Sequence, residues 1–242
     1  MRKIIVFAKA PKPGLVKTRL LSHLTKKQAA SLARSFLRSV LQNLRSKELK
    51  GTFDQLFLAC SPSVNHPFLQ LMAKEFSCEL VLQSEGNLGE RMQKICQKMI
   101  QTEQDQLLLL GADAPTLPPR FIREAYRKMT GTPVVLGPSL DGGYYLLGIT
   151  GGHILGENKN PWQIFQGVDW GGQRVFVQTL TNLKKTQTDF SLLPFWYDVD
   201  HFYDVQFLTL HLNQLRRQNG GKEYRENNEK LLKDLNYIDK LS

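Results

Sequence analysis

The amino-acid sequence predicts an α/β fold with a mostly parallel central sheet flanked by helices. Short apolar runs, typical of buried strands, alternate along the chain with segments in which apolar residues recur at helical spacing. The run Leu107–Leu110 holds four consecutive leucines, which indicates a strand buried on both faces. A length of 242 residues suffices for one large domain. We predict this domain at residues 1–220, with a C-terminal helical extension at residues 221–242.

The apolar runs place the predicted strands in order at 3–8, 56–60, 79–83, 107–112, 133–138 and 144–149. Each run is rich in Leu, Ile, Val or Phe, and most are bounded by Pro or Gly, which end strands. Helices are predicted from the capping box Thr25–Gln28 onward, at 65–76, from Glu85, at 119–129, near 172–184 and after Asp200. Residues 151–161 are rich in Gly, Asn and Pro and predict a flexible loop.

Composition places the chain among soluble proteins of a reducing compartment. Cys60, Cys78 and Cys96 lie 18 residues apart without paired or clustered ligands, which argues against a disulfide framework and a zinc site. The first apolar run is too short for a signal peptide, and no run approaches the length of a membrane span. We therefore expect a cytoplasmic protein with no transmembrane segment.

Positive charge is concentrated at the N-terminus. Residues 1–50 hold 13 Lys and Arg and one acid, a net charge of +12, whereas the other 192 residues hold 19 basic and 21 acidic groups, a net −2. This asymmetry predicts an anionic partner. Much of the charge, including the helical stripe from Lys27 to Arg45, also fits a solvated face. Without interleaved aromatic residues, the stripe disfavours nucleic acid as the partner.

The segment after the first strand, Lys9–Leu20, carries four cations together with Pro11, Pro13 and Gly14. Because ligands bind beyond the carboxyl ends of strands in α/β sheets, the four cations Lys9, Lys12, Lys17 and Arg19 are placed to hold a polyphosphate. The segment matches neither the Walker pattern nor GxGxxG. The alternative is a surface loop that happens to be basic.

Asp113 follows the leucine-rich strand and has two interpretations. A carboxylate at a strand end is well placed to hold Mg²⁺ on a phosphate, since Mg²⁺ prefers a few carboxylate oxygens, water and substrate oxygens. It could equally cap the next helix by accepting backbone N–H bonds.

Other turns offer further polar groups. Asp141-Gly142-Gly143 lies between two strands, which favours a turn, although the glycines would also let a substrate approach the backbone. Arg91, with Gly86 and Gly89, lies at a strand-to-helix turn on the ligand side of the sheet, where a structural helix N-terminus is an equal alternative.

Asp198 and Asp200 are two residues apart in an extended segment, so both point to one face and could enter one site. Asp200 could instead cap the following helix. The five histidines form no arrangement suited to Ser/His/Asp catalysis.

Five motifs carry a resemblance to a known family. In chain order they are Ala8–Leu20, Leu88-Gly-Glu-Arg91, Gly111-Ala-Asp-Ala-Pro115, Gly137–Gly148 and Asp198-Val-Asp200. They resemble bacterial glycosyltransferase-like proteins with the GT-A fold, some labelled selenodomain-associated transferases. More distant relatives are 2-phospholactate guanylyltransferase and other nucleotidyltransferases of the nucleotide-diphospho-sugar transferase superfamily. The resemblance spans about residues 1–212.

By position, this resemblance implies a transferase with a nucleotide or nucleotide-sugar donor and a small-molecule acceptor. Lys17 and Arg19 would contact phosphates, with Lys9, Pro11, Gly14 and Arg91 around the nucleotide. Asp113 and Asp200 would hold Mg²⁺ or Mn²⁺, and Lys17 and Asp141 would assist Asp113 in catalysis. Asp141, Gly142 and Gly143 would face the acceptor. Relatives often carry Ser or Cys where this chain has Ala114, and Asp where it has Thr116.

The sequence leaves several alternatives open. Nucleotidyl and glycosyl transfer share the same donor site, and the acceptor is not identified. A non-catalytic nucleotide-binding or regulatory protein of the same fold is the main alternative, and an anionic-surface binder is a weaker one. The last segment, Lys222–Ser242, could pack on the body or form a homodimer.

Overall fold

The computed structural model describes residues 1–156 and 160–218, together with Leu231, Lys233 and Leu235. Within them, seven strands form one sheet in the order β3-β2-β1-β4-β6-β5-β7. The strands are β1 Arg2–Lys9, β2 Gln55–Ser61, β3 Glu79–Leu82, β4 Gln106–Gly111, β5 Val134–Pro138, β6 Tyr144–Thr150 and β7 Phe190–Leu192. Only β6 runs antiparallel to its neighbours in the sheet. The predicted mostly parallel sheet is confirmed, and the six strands with predicted bounds agree within one residue at each end.

Helices cover both faces of this sheet. They are α1 Lys26–Leu44, α2 Pro67–Glu75, α3 Leu88–Met99, α4 Pro119–Lys128, α5 Gly151–Leu155, α6 Val175–Lys185 and α7 Phe202–Gln218. The expectation of a loop at 151–161 is wrong at its start, because the Thr150 side chain accepts from the backbone N–H of His153 and caps α5. Pro161–Phe165 forms a short 3₁₀ helix.

Alternating residues of the central strands belong to two separate hydrophobic cores, one on each face of the sheet. In β4, Leu108 and Leu110 join the core under α1, α2 and α4, whereas Leu107 and Leu109 join the core under α3 and α6. All four leucines are at most 3% exposed. Successive side chains of a strand point to opposite faces, and both faces are buried here, so every residue of the run must be apolar.

Strand register brings the candidate segments together. β4 lies directly beside β1, with Phe7 opposite Gly111, so both strands end at the same edge of the sheet. The segment after β1 and the segment containing Asp113 start from this shared edge. The backbone N–H of Val199 donates to the Asp113 carbonyl over 2.9 Å, which fixes the late Asp198–Asp200 segment beside them.

The α1 helix begins as predicted, and Lys27, Arg34 and Arg45 of its basic stripe are exposed, as expected of a solvated face, but the arginines also bond to the protein. Thr25 and Gln28 form the predicted capping box. Three arginines of the stripe bond to other parts of the protein. Arg34 donates to the Pro11 carbonyl, and Arg38 pairs with the Glu75 carboxylate. Arg45 donates to the carbonyls of Phe76 and Ser77. Each guanidinium also lies within 6 Å of a phenylalanine ring centroid. Three of the four cations of this stripe therefore hold α1 against the α2 region.

A third core joins α7 to α1 and contains Phe36, Tyr197, Leu208, Leu231 and Leu235. The two leucines beyond α7 pack on the body of the protein, but the rest of the predicted extension at 221–242 lies outside the described residues, apart from Lys233. In the described part of the chain, no helix has both the length and the apolar character to cross a membrane.

Candidate active site

The segment between β1 and α1 folds so that one lysine side chain is carried inward. Gly14 has a φ of +81° and Lys17 a φ of +48°, both in the left-handed region. Val16 and Leu20, on either side of Lys17, are buried and anchor the segment. Left-handed backbone is costly for a residue other than glycine, and such strain is typical of functional sites.

The Lys17 ammonium lies among three oxygens at the carboxyl edge of the sheet. Its Nζ atom is 2.7 Å from Asp113 Oδ1 and 3.0 Å from Asp200 Oδ1, and it donates to the Val199 carbonyl over 2.5 Å. The Lys17 side chain is only 6% exposed. Burial alone would lower the Lys17 pKa, but the charges of Asp113 and Asp200 outweigh burial and raise it. Lys17 is therefore a buried cation held by two carboxylates.

The capping alternatives do not describe these two carboxylates. α4 begins at Pro119, six residues after Asp113, so Asp113 does not cap it. At α7, Asp204 Oδ2 accepts the backbone N–H groups of Asp200 and His201 over 3.0 and 2.7 Å. The Asp200 side chain faces Lys17 instead, and its Oδ2 is 2.8 Å from Arg19.

The cations also control the charge of Asp200. Burial would raise its pKa, but Lys17 first and then Arg19 favour the ionised form and lower the pKa overall. The side chain is 26% exposed. Asp200 is therefore an ionised carboxylate near neutral pH, able to hold a cation.

Asp200 also belongs to a second acidic group. Asp141, Asp198 and Asp200 each place one carboxylate oxygen within 4.8 Å of the others, close enough to share a cation. Asp113 is not part of this group. Burial, with repulsion from Asp141 and Asp200, raises the pKa of Asp198 to about 7. The structure thus places Asp198 and Asp200 in one site, as their spacing predicts.

Two pockets meet at Asp113, Asp200 and Arg19. The first, the loop pocket, has a volume of about 380 Å³ and is lined by the Lys9–Arg19 segment, α1 and Phe68. The second, the carboxylate pocket, has a volume of about 250 Å³ and contains Asp141 and Asp198. A ligand in one pocket would therefore lie next to a ligand in the other.

The remaining predicted residues divide between these pockets and their supports. Lys9 and Pro11 line the loop pocket, and Gly143 lines the carboxylate pocket. Gly14 and Gly142 both have positive φ, so they allow the turns of the backbone at these positions. The Arg91 side chain donates to the Gly86 carbonyl over 2.8 Å and lines neither pocket.

Sequence reasoning missed Trp170, which lines the carboxylate pocket. Its indole packs so closely on Gly89 that a Cβ atom there would lie 2.3 Å from Trp170 Nε1. A second capping box, between Asn87 and Glu90, positions this turn at the start of α3. The stretch Asn87-Leu88-Gly89-Glu90 contains both the capping box and the glycine, but the contact of Gly89 with Trp170 joins distant parts of the chain.

Comparison with known proteins assigns the family. Residues 31–172, more than half of the chain, match the family described as "Uncharacterized protein conserved in bacteria (DUF2064)". The chain belongs to the DUF2064 family. None of the curated proteins compared with it matches.

Solved structures similar to this DUF2064 protein confirm the predicted fold. A protein from Desulfovibrio desulfuricans, provisionally described as a nucleotide-diphospho-sugar transferase, has a TM-score of 0.75 and 26% identity over 97% of both chains. A cytidylyltransferase from Leptospira borgpetersenii has a TM-score of 0.56 and 12% identity, over 98% of this chain and 95% of its own. The 4-diphosphocytidyl-2C-methyl-D-erythritol synthase of Anaerococcus prevotii has a TM-score of 0.57 and 9% identity, over 88% of this chain and 98% of its own. The DUF2064 chain thus has the GT-A-like nucleotide-diphospho-sugar transferase fold.

Proposed function

We propose that this protein is a divalent-cation-dependent transferase that moves a group from a nucleotide donor to a small acceptor. The observation that carries the proposal is the convergence of Lys17, Asp113 and Asp200 where the two pockets meet. The similar solved structures named for nucleotide-diphospho-sugar and cytidylyl transfer support a nucleotide as the donor.

The loop pocket is the proposed donor site. Its lining includes three cations, Lys9, Lys17 and Arg19, and its two carboxylates lie at the boundary with the carboxylate pocket. Cations at the carboxyl edge of a parallel sheet suit a polyphosphate. We assign Lys9, Pro11, Lys17 and Arg19 to the donor.

Asp113 and Asp200 are the proposed ligands of Mg²⁺ or Mn²⁺. Their Oδ1 atoms already converge on one cation, the Lys17 ammonium, and hard carboxylate oxygens suit both metals. A bound ion would neutralise the charge that develops on the donor phosphates. Lys17 and Arg19 would add positive charge beside the same phosphates, so this site would act through positioning and electrostatics.

The carboxylate pocket is the proposed acceptor site, where Asp141 and Asp198 would bind the acceptor. Gly143 donates its backbone N–H to Asp141 Oδ1 over 2.8 Å, which fixes that carboxylate. The pocket is contiguous with the proposed donor pocket through Asp113, Asp200 and Arg19. Nucleotidyl transfer from a triphosphate and glycosyl transfer from a sugar nucleotide both fit this arrangement.

Donor binding is the direct test. Calorimetric titrations of each nucleoside triphosphate and of UDP- and GDP-sugars, with and without Mg²⁺, would use wild type, Asp113→Asn and Lys9→Met. We expect metal-dependent binding that Asp113→Asn abolishes and that Lys9→Met weakens without removing its metal dependence. Binding of triphosphates alone would select nucleotidyl transfer, and binding of sugar nucleotides would select glycosyl transfer. Failure of every donor to bind would refute the proposal.

Turnover separates the enzyme from its main alternative. Metal-dependent donor binding followed by release of pyrophosphate or nucleoside diphosphate, lost in Asp113→Asn, supports the transferase. Donor binding that persists in Asp113→Asn, with no turnover of any donor, would instead identify a non-catalytic nucleotide-binding protein.

A further inference from the structure

The two pockets differ in charge, and the difference constrains the acceptor. Among the described residues, the loop pocket is lined by three cations and two carboxylates. The carboxylate pocket is lined by four carboxylates and one cation, Arg19, whose guanidinium is already 2.8 Å from Asp200. Lys17, just outside this lining, pairs with Asp113 and Asp200, so Asp141 and Asp198 are the acids of this pocket without an ion pair in the described part of the chain. Anionic groups are therefore attracted to the first pocket and repelled from the second.

Hydrogen-bond donors in the carboxylate pocket are largely occupied by the protein. The Ser139 hydroxyl and the Gly143 backbone N–H both donate to Asp141. The Tyr145 hydroxyl donates to the Pro194 carbonyl over 2.9 Å. Apart from the Arg19 guanidinium, carboxylate oxygens are therefore the main polar side-chain groups among the described residues of this pocket, and they suit a ligand rich in hydroxyl or amine donors.

A fixed aromatic side chain forms one wall of the same pocket. The Trp170 indole packs on Gly89 and lies perpendicular to the Tyr144 ring, with centroids 6.4 Å apart. Its segment is held by Gly142, where a Cβ atom would lie 1.9 Å from the Gln173 carbonyl oxygen. Trp170 is half-buried, so it presents a positioned apolar face beside the carboxylates.

We propose that the carboxylate pocket selects a hydroxyl-rich ring without phosphate or carboxylate, of the sugar or cyclitol type. Its hydroxyls donate to Asp141 and Asp198, and its less polar face packs on Trp170. This inference rests on the proposed transferase function and specifies its acceptor class. The hydroxyl that receives the transferred group lies next to Asp113 and Asp200, at the boundary with the loop pocket.

Matched probes that share a ring and differ by one anionic group test this selection. Saturation-transfer NMR would compare myo-inositol with inositol 1-phosphate, and glucose with glucose 6-phosphate and glucuronate, at millimolar concentration. Signals that Trp170→Ala removes and Trp170→Phe retains are assigned to the carboxylate pocket, since Phe preserves an aromatic wall. We expect the neutral probes to bind there at least about tenfold more tightly than the anionic ones, because nearby carboxylates repel them even when screened.

Two substitutions separate local charge from total charge. Asp141→Asn should narrow the difference in binding affinity between the neutral and the anionic probes. Glu103→Gln makes the same change in total charge at an exposed residue before β4, at the edge of the sheet opposite the pocket, and it should leave the difference in affinity unchanged. Circular dichroism of each variant confirms folding.

Three results would overturn the inference. The first is tighter binding of the anionic probes at the Trp170-dependent site, and the second is that no neutral probe binds there. The third is loss of a Mn²⁺ site in Asp141→Asn, which would show that Asp141, Asp198 and Asp200 hold a cation. The donor titrations are separate. If donors bind and these probes fail, only the acceptor class is wrong, whereas failure of all donors refutes the transferase itself.

Discussion

Replacing Lys17 with methionine should strengthen binding of a divalent cation in the absence of nucleotide. The Lys17 ammonium is 2.7 Å from Asp113 Oδ1 and 3.0 Å from Asp200 Oδ1, the two oxygens proposed to hold the metal. Two cations cannot occupy the space between these oxygens, so a metal must displace the ammonium. Methionine keeps an unbranched apolar stem but removes the competing charge.

The size of the effect follows from the bonds that the metal must break. Lys17 makes charge-assisted contacts with two carboxylates and a third bond to the Val199 carbonyl. A hydrogen bond to a charged group contributes about 1.5–3 kcal/mol. Displacement partly restores hydration of the ammonium, so we take one such bond as the net cost. Its removal predicts an affinity for Mn²⁺ about 10- to 100-fold higher in Lys17→Met.

Electron paramagnetic resonance of free Mn²⁺ measures this affinity directly, because bound ion loses the free-ion signal. Lys9→Met is the matched control: Lys9 is an exposed cation of the same pocket and has no ion pair among the described residues. It should change Mn²⁺ affinity far less. Lys17→Met combined with Asp113→Asn should lose the gain. Equal or weaker Mn²⁺ binding by Lys17→Met would show that Lys17 does not compete for the metal site, and would refute the reasoning.

Three further predictions concern stability and packing. Burial of Asp105 would raise its pKa, but backbone and cationic donors outweigh burial and hold the pKa well below the usual range. Asp105→Asn should therefore lower the free energy of unfolding by about 3 kcal/mol at pH 7. The difference in unfolding free energy from wild type, measured by urea denaturation, should shrink as pH falls below about 4, because stabilisation by a depressed pKa is full above the unfolded pKa and is lost as pH falls towards the folded pKa. Gly89→Ala should displace Trp170, shift its fluorescence and lower the free energy of unfolding by about 1–3 kcal/mol. The control Gly131→Ala, whose Cβ would meet nothing closer than 4.0 Å, should leave the Trp170 fluorescence unchanged. The pKa of Asp198 is raised to about 7, so Asp198→Asn should stabilise the protein above pH 7 by about 2 kcal/mol, allowing for screening, and the gain should fade towards pH 4. An unchanged stability difference between pH 8 and pH 5 would contradict the Asp198 assignment.

Local patterns predicted most of the secondary structure because their causes are local. The four leucines Leu107–Leu110 alternate between two cores, as a strand buried on both faces requires. Thr25 and Gln28 form the capping box that their spacing predicts. The error at 151–155 is also local in origin: Gly151 and Gly152 argue against a helix, but Thr150 caps one there.

The polar residues of the candidate site were predicted from their positions after strands. Lys17, Asp113 and Asp200 follow elements that end at the same edge of the sheet, and the structure brings them within 3.0 Å contacts. The spacing of Asp198 and Asp200 also predicted a shared site. The sequence pattern did not predict that Lys17 binds the carboxylates rather than facing an open phosphate site. That choice depends on the Val199 carbonyl and the Asp200 side chain, which lie 182 and 183 residues further along the chain.

The sequence by itself determined the order of strands and helices, the buried runs and the residue types that can perform phosphate and metal chemistry. These properties depend on side chains a few residues apart. Only the tertiary structure decided which charges neutralise one another, that the arginines of α1 are bound by the α2 region, and that Trp170 closes the carboxylate pocket against Gly89. Such contacts join segments far apart in the chain, and they exist only once the sheet order has brought those segments to one edge.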